Sequence, residues 1–206
     1  CARLGLRVVA NTVSTVLHGN LYRSANRAHR GLMQNLWRHA VVSALFCDGL
    51  TQQASSVDRH LAYEAGLLHD IGMVVLLDLI TVRYVGRVGR LRESMELLED
   101  VLDRFHPLVG LCVAQHWGLP QPVRFAIYFH KHDAVPLENG AGPVVDSVRV
   151  ASDLTHTMGL GLRWENGVEL AENGAAKRLG LSVEDLAAFR EANAEKVEAA
   201  LAAFCS

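Results

Sequence analysis

Residues 66–72 read GLLHDIG and place His69 directly beside Asp70 in an otherwise apolar segment. Burying an imidazole and a carboxylate without partners is unfavourable by several kcal/mol. The fold must therefore compensate for both side chains, and the two alternatives are a bound metal ion and a closed hydrogen-bond network. An adjacent His-Asp pair is weak evidence alone, because such pairs also occur by chance.

Further His and Asp residues on other predicted helices strengthen this interpretation. His39, in NLWRHA, precedes the pair on the preceding predicted helix, and His106, in RFHPLVG, lies at a predicted helix start. His130 ends the next predicted helix, and Asp153 lies in the middle of the helix after a long loop. Helical bundles build internal metal sites from one His or Asp on each of several helices. We therefore predict that His39 and Asp153 converge on the pair.

The sequence contains ten histidines, and that number alone says little. Most single histidines are surface residues or hydrogen-bonded core residues. This ordinary interpretation is the one we give to His18, His29, His60 and His156.

Helical spacing dominates the long segments. Apolar residues recur every three or four positions from Leu4 to Leu17 and again from Gln34 to Leu50. The stretch Ile71 to Val85 is rich in Val and Ile and would also suit a buried strand, but no partner strands with turn signals lie nearby. We predict a buried helix there, and an all-α, multi-helix bundle for the whole chain.

Several residues mark the predicted ends of helices. Asp58 is a predicted N-cap, and Ser182 with Asp185 forms a capping box in front of an Ala-rich helix that extends to Phe204. Loops are predicted at residues 133–143 and around Asn166. Three prolines are predicted to begin helices, namely Pro107, Pro122 and Pro143.

Composition and charge exclude several classes of protein. The net charge is −2 without a long basic block, which argues against nucleic-acid binding. Apolar runs such as Met73 to Leu77, which ends at Asp78, are far too short to span a bilayer. The four cysteines form no C-x-x-C pair and are predicted to be reduced thiols, as in a cytoplasm.

Three phrases of the sequence resemble a known family. LWRH, GLLHDIG and W-x-LP-x-x-V-x-x-AI-x-x-H are similar to the HDOD domain, a bacterial signalling domain of the HD superfamily of metal-dependent phosphohydrolases. The resemblance runs from about Leu4 to Gly159. It implies a single all-α domain over residues 1–206, with an HDOD core at 1–159, a C-terminal helical extension at 160–206 and the N-terminal helices of the family missing. It also implies a bacterial, cytoplasmic protein.

The resemblance assigns roles to the His and Asp residues. The first metal site of the superfamily is matched by His39, His69, Asp70 and Asp153. Asp70 would bridge to a second metal, which His106 and His130 match. Mixed imidazole and carboxylate ligands suit Fe, Mn, Zn or Ni rather than Ca. In active members of the superfamily, a metal-bridging water attacks a phosphoester.

Two positions depart from the related phosphodiesterases. HDOD domains and the related HD-GYP phosphodiesterases commonly have two adjacent histidines where this chain has His130 and Lys131. The HD-GYP enzymes also have a lysine where this chain has Met73. Lysine binds a metal only when it is deprotonated, which its ordinary pKa of about 10 disfavours. We therefore expect at most one tightly bound metal, in the first site.

Two functions from different classes follow. The first is a non-catalytic signal-transduction output domain that acts through a signalling protein partner or self-association, with no nucleic acid or membrane partner. The alternative is a metal-dependent phosphodiesterase acting on a nucleotide such as a cyclic dinucleotide. We favour the first by analogy with HDOD domains. The chain also has no Gly-rich phosphate-binding loop followed by Lys-Ser or Lys-Thr, so we expect the exposed surface rather than the cluster to mediate the output.

Overall fold

The computed structural model describes residues 5–24, 27–53, 57–84, 95–132, 141–162, 170 and 173–205. Within these residues every regular element is a helix and there is no strand, which confirms the predicted all-α fold. No helix in this part of the chain is long and apolar enough to cross a membrane.

The helices pack around the long second helix. In chain order they are α1 (Leu6–Gly19), a 3₁₀ turn (Asn20–Tyr22), α2 (Arg27–Leu50), a 3₁₀ turn (Thr51–Gln53), α3 (Arg59–Leu68), α4 (Ile71–Tyr84), α5 (Met95–His116), α6 (Gln121–Phe129), α7 (Gly142–His156), α8 (Gly174–Arg178), α9 (Val183–Ala192) and α10 (Ala194–Phe204). Helix α2 packs against α3, α7 and α10, while α4 packs on α5 and α6 bridges α3, α5 and α7. The core lies between these helices and is rich in Leu, Val and Ala.

The two glycines of the GLLHDIG segment allow helices to cross closely. A Cβ atom on Gly66 would lie 2.8 Å from the Cα atom of Ala44 on α2. A Cβ atom on Gly72 would lie 2.0 Å from the backbone oxygen of His106 and 2.7 Å from the backbone nitrogen of Gly110, both on α5. Real Cβ atoms do not approach backbone this closely, so glycine at these positions lets the segment contact both neighbouring helices.

The predicted helix starts are largely confirmed. The Asp58 side chain accepts hydrogen bonds from the backbone N–H groups of His60 and Leu61. Ser182 and Asp185 form the reciprocal capping box at the start of α9. Helices α6 and α7 each begin one residue before the predicted proline, and the ambiguous stretch after residue 70 is the helix α4. The predicted loops fall largely on residues 133–140 and 163–169, outside the described residues.

The prediction that a helix starts at Pro107 is wrong. Helix α5 begins at Met95 and continues through Pro107 to His116. Proline lacks a backbone N–H, so the helix loses one internal hydrogen bond at this position. His106 therefore lies in the middle of a long helix rather than at its start.

The single Ala-rich helix predicted up to Phe204 is also wrong. Asn193 separates α9 from α10, with its side-chain amide donating a hydrogen bond to the carbonyl of Phe189 at 2.8 Å. Asn side chains compete with helical hydrogen bonds for backbone groups in this way. The C-terminal segment is consequently a pair of helices.

Helix α1 confirms the predicted helix but not the expected orientation of its apolar residues. Its buried residues are polar, and they bond to α3: Ser14 Oγ lies 2.7 Å from Glu64 Oε1, and Thr15 Oγ1 lies 2.6 Å from the Tyr63 hydroxyl. In contrast, Leu17 is 65% exposed. The periodicity was sufficient to identify a helix, but the polar side of α1 packs against α3.

Candidate metal centre

Four imidazoles and one carboxylate from four parts of the chain meet in the core. His39 comes from the middle of α2, and His69 and Asp70 form the two-residue turn between α3 and α4. His106 comes from the middle of α5, and His130 directly follows α6. All five side chains are buried, and three of the histidines have no exposed surface.

Asp70 lies at the centre, with two histidines on each carboxylate oxygen. Its Oδ2 atom is 3.3 Å from His69 Nε2 and 3.7 Å from His39 Nε2. Its Oδ1 atom is 3.3 Å from His106 Nε2 and 3.6 Å from His130 Nε2. Two trios result, and the ligand atoms of each lie within 4.8 Å of one another. We call them the first trio (His39, His69, Asp70) and the second trio (Asp70, His106, His130).

The backbone fixes the orientation and tautomer of every imidazole. Each Nδ1 atom lies 2.8–3.2 Å from a backbone carbonyl oxygen: Leu160 for His39, Gly66 for His69, Leu102 for His106, and Ile127 and Ala126 for His130. A carbonyl only accepts hydrogen bonds, so each Nδ1 must hold the hydrogen. The Nε2 atoms, which are the remaining ligand atoms, therefore all point at Asp70.

This arrangement brings imidazole nitrogens into contact with each other. His39 Nε2 lies 3.1 Å from His69 Nε2, and His106 Nε2 lies 3.2 Å from His130 Nε2. With every Nδ1 protonated, each pair has two Nε2 lone pairs directed at one another unless a proton or metal cation is shared between them. The donor set, imidazole nitrogen plus carboxylate oxygen, is the one that binds Zn and related transition metals. The residues thus fit a divalent metal.

The electrostatics of the cluster favour ligands that are ready to bind a cation. Burial lowers the pKa of His39, His106 and His130, so these imidazoles stay neutral. Burial opposes the charging of His69 too, but the charge of Asp70 and a hydrogen bond with it raise its pKa. Burial likewise opposes ionisation of Asp70, yet the surrounding histidines, His69 first, hold its pKa well below its ordinary value. His69 is therefore the one imidazole of the two trios whose pKa lies above its ordinary value.

Asp153, the remaining residue of the predicted set, lies at the edge of the cluster. Its neighbour Ser152 places Oγ 3.2 Å from His39 Nε2. The Asp153 carboxylate is only partly buried, and its Oδ2 accepts a hydrogen bond of 2.5 Å from the side-chain amide of Asn173. Asp153 belongs to neither trio among the described residues. It does line the same cavity as Asp70.

That cavity, of about 150 Å³, opens beside Asp70. Acidic, basic and apolar side chains line it together, namely Asp70, Met73, Glu99, Leu102, Asp103, His130, Lys131, Arg149, Ser152, Asp153, His156 and Leu162. Lys131 lines this cavity and forms an ion pair with Asp103, so its ammonium group is paired with a carboxylate outside the two trios. His132, the next histidine after Lys131, is exposed, and its ring stacks on that of Tyr128 with the centroids 5.7 Å apart.

Sequence reasoning missed His156. Its ring stacks on that of His39, with centroids 4.5 Å apart and planes 27° apart. It follows the predicted residue Asp153 by three positions on α7, and this helical spacing, which makes two side chains neighbours, was the signal that could have found it. The ordinary interpretation holds better for His18 and His60, whose Nδ1 atoms lie within hydrogen-bond distance of atoms on α1.

The sequence profile of the HDOD domain matches residues 1–133, well over half of the chain. The chain belongs to the HDOD family. The matched region includes the five residues of both trios and ends before Asp153. A curated relative, an uncharacterised protein of Treponema pallidum (strain Nichols), is 28% identical over 159 residues, which are 73% of this chain. The HDOD chain spans only 29% of the length of that relative.

Two solved structures have the same fold. An HDOD domain protein of unknown function from Geobacter sulfurreducens superposes with a TM-score of 0.71 at 20% identity, covering 96% of this chain and 71% of its own. A protein from Shewanella amazonensis SB2B, named as a candidate metal-dependent phosphohydrolase, superposes with a TM-score of 0.72 at 18% identity. The match covers 97% of this chain and 70% of the Shewanella chain. At these identities the likeness concerns the fold alone.

Proposed function

We propose that this HDOD chain is a bacterial, cytoplasmic signal-transduction output domain that binds a divalent transition metal at Asp70. The observation that supports it best is the pair of Nε2–Nε2 contacts of 3.1 and 3.2 Å, each of which needs a cation between two lone pairs. Four imidazoles whose Nδ1 atoms are all bonded to backbone are pre-oriented for such an ion, which lowers the free energy needed to assemble the site. Fe, Mn, Zn and Ni are the metals that suit these ligands.

The first trio holds the more tightly bound ion in this proposal. A second carboxylate, Asp153, lines the cavity with Asp70 and directly follows Ser152, whose Oγ lies 3.2 Å from His39 Nε2 of this trio. The second trio has only Asp70 and two imidazoles, and Lys131 follows His130 where related domains commonly have a second histidine. One tight ion and a weaker second site are the result.

Metal content tests this proposal. Protein purified without added metal is compared with Asp70→Asn, which keeps the shape of the side chain but removes its charge, and with Asp78→Asn, a matched change on the exposed side of α4. Elemental analysis is expected to find about one transition metal per chain in the wild type and Asp78→Asn, and little in Asp70→Asn. Equal content in all three variants would refute the site.

The signalling role concerns the surface rather than the cluster. Because the trios are buried, a metal bound there influences a protein partner or a second copy only through the helices that hold the ligands. We expect affinity purification from a bacterial lysate to recover a specific protein partner, or sedimentation to show self-association. Recovery of neither, together with tight nucleotide binding by calorimetry, would reverse the assignment.

One observation favours phosphohydrolase activity as a second candidate function. The cavity beside Asp70 is lined by the cationic residues Lys131 and Arg149 and by Ser152, groups that suit a phosphoryl ligand next to a metal. A metal bound there would activate a water molecule for attack on phosphorus. Turnover of cyclic dinucleotides or simple phosphoesters with added Mn, Fe or Ni, abolished by Asp70→Ala, would establish this function. Our proposal predicts little or no turnover.

A further inference from the structure

We propose that Asn173 couples the metal centre to the C-terminal helices α8–α10, because its side chain positions Asp153 and caps α8 at the same time. The inference rests on the proposed metal binding. It makes Asn173 a positioning residue, and it makes metal binding and the attachment of the C-terminal helices stabilise each other.

Both ends of the Asn173 side chain are occupied. The residue is buried, its Oδ1 atom accepts the backbone N–H of Ala176 at 3.0 Å, and its Nδ2 atom donates to Asp153 Oδ2 at 2.5 Å. The first bond is the N-cap of α8. The second fixes the position of the Asp153 carboxylate relative to α8. One rotation of the Asn173 side chain would therefore break the helix cap and release the carboxylate together.

Asp153 is well placed to transmit this effect to the metal centre. It lies on α7 between Ser152, whose Oγ is 3.2 Å from His39 Nε2, and His156, whose ring stacks on His39. It also lines the cavity with Asp70. Small changes in its orientation thus alter the negative charge presented to a cation in the first trio.

Helix α8 is attached to α7 at a second point. Arg178, at the end of α8, forms a bidentate ion pair with Asp146, at 3.0 Å from Nε to Oδ2 and 2.6 Å from Nη2 to Oδ1. Asp146 precedes Asp153 by seven residues, or two helical turns, so both acidic residues lie on the same face of α7. Helix α8 therefore lies along α7, with Asn173 at the end nearer the metal centre.

The C-terminal segment also contacts a helix that carries a metal ligand. Helix α10 packs against α2, the helix of His39, and Trp37 of α2 donates its indole N–H to the carbonyl of Phe204 at 2.7 Å. The C-terminal segment thus contacts the site through Asn173 at one end and through α2 at the other. A change in metal occupancy would alter both contacts.

Thermodynamic linkage makes the expected effects reciprocal. If bound metal stabilises the packing of α8 on α7 by a given factor, the packing of α8 raises the metal affinity by the same factor. Partners that orient metal ligands typically change metal affinity by about 10- to 100-fold when they are mutated. We therefore expect loss of the Asn173 amide to weaken metal binding by about tenfold or more. Metal should also slow hydrogen exchange in α8–α10.

The decisive variant is Asn173→Ser, with Zn²⁺ as the probe. Serine keeps an N-cap oxygen for α8 but has no amide to donate to Asp153. Asn193→Ser is the matched control, because Asn193 lies between α9 and α10 and its amide bonds to Phe189. Competition with a chelator should show a loss of affinity of about tenfold or more for Asn173→Ser and none for Asn193→Ser.

Hydrogen exchange of the wild type with and without Zn²⁺ needs no mutation and provides the second measurement. Slower exchange in residues 174–205 on adding Zn²⁺, reduced in Asn173→Ser, supports the coupling. The coupling is overturned, but the metal site is not, if the wild type binds Zn²⁺, the Asn173→Ser variant binds it with unchanged affinity, and hydrogen exchange in α8–α10 does not change on adding Zn²⁺. Failure of the wild type to bind Zn²⁺ overturns both.

Discussion

Substituting Gly72 by alanine should separate α4, which directly follows Asp70, from α5, which holds His106. The added Cβ atom would lie 2.0 Å from the backbone oxygen of His106 and 2.7 Å from the backbone nitrogen of Gly110. Both neighbours are backbone atoms, so no side-chain rotation relieves the contact, and α4 must move away from α5. Because His106 itself receives the contact, the movement also displaces a ligand of the second trio.

The magnitude follows from two opposing effects. Overpacking a close-packed core destabilises a protein by about 1–3 kcal/mol, occasionally more, and a contact of this kind against backbone belongs at the upper end. Replacing glycine by alanine within a helix recovers about 1 kcal/mol. We expect Gly72→Ala to lower the free energy of unfolding by about 2 kcal/mol or more.

Urea denaturation measures this effect through the midpoint at constant slope. Gly31→Ala is the matched control, since Gly31 is exposed on α2 and a Cβ atom there meets nothing within 4 Å. That variant should be more stable than the wild type by about 0.5–1 kcal/mol. If Gly72→Ala were as stable as the wild type, the close crossing of α4 and α5 would not exist as described.

Further predictions concern protons, thiols and metal number. At a pH below the raised pKa of His69, binding of Zn²⁺ should release a proton, so the affinity for the metal should fall as the pH falls through that pKa. Calorimetry in buffers of different ionisation enthalpy measures the number of protons released. Binding at acidic pH without proton release would contradict the prediction. Of the three cysteines that the structure describes, exposed Cys112 should react first with a thiol reagent. Cys205 should react more slowly, because burial raises its pKa to about 11, and buried Cys47 should react only after unfolding. Mass spectrometry maps the modified residues. Lys131→His should raise the metal content towards two ions per chain, as measured by elemental analysis. An unchanged metal content would show that adding a histidine at this position does not complete the second site.

The sequence was sufficient to predict the fold class and the five residues of the two trios. Helical periodicity reflects which side of a helix is buried, and it identified most helices correctly. The cluster was predictable for a different reason: an adjacent His-Asp pair in an apolar segment needs partners, and His39, His106 and His130 lie on neighbouring predicted helices. Local pattern and burial energy together were therefore informative.

Features that depend on long-range packing were not predictable. Nothing local indicates that α5 continues through Pro107, because a helix tolerates this proline only when its neighbours hold it in place. The polar pairs between α1 and α3 join residues about fifty positions apart. Likewise, the contact between Asn173 and Asp153 depends on how α8 packs along α7. The expected convergence of Asp153 on His69 stays a prediction.

Anomalous X-ray diffraction from crystals grown with Zn²⁺, recorded on both sides of the zinc absorption edge, tests the central claim most directly, because it locates the ion among its ligands. Our account predicts an anomalous peak bonded to Asp70 Oδ2 and to the Nε2 atoms of His39 and His69. A peak bonded only to surface residues, or no peak within the cluster at saturating Zn²⁺, would contradict it.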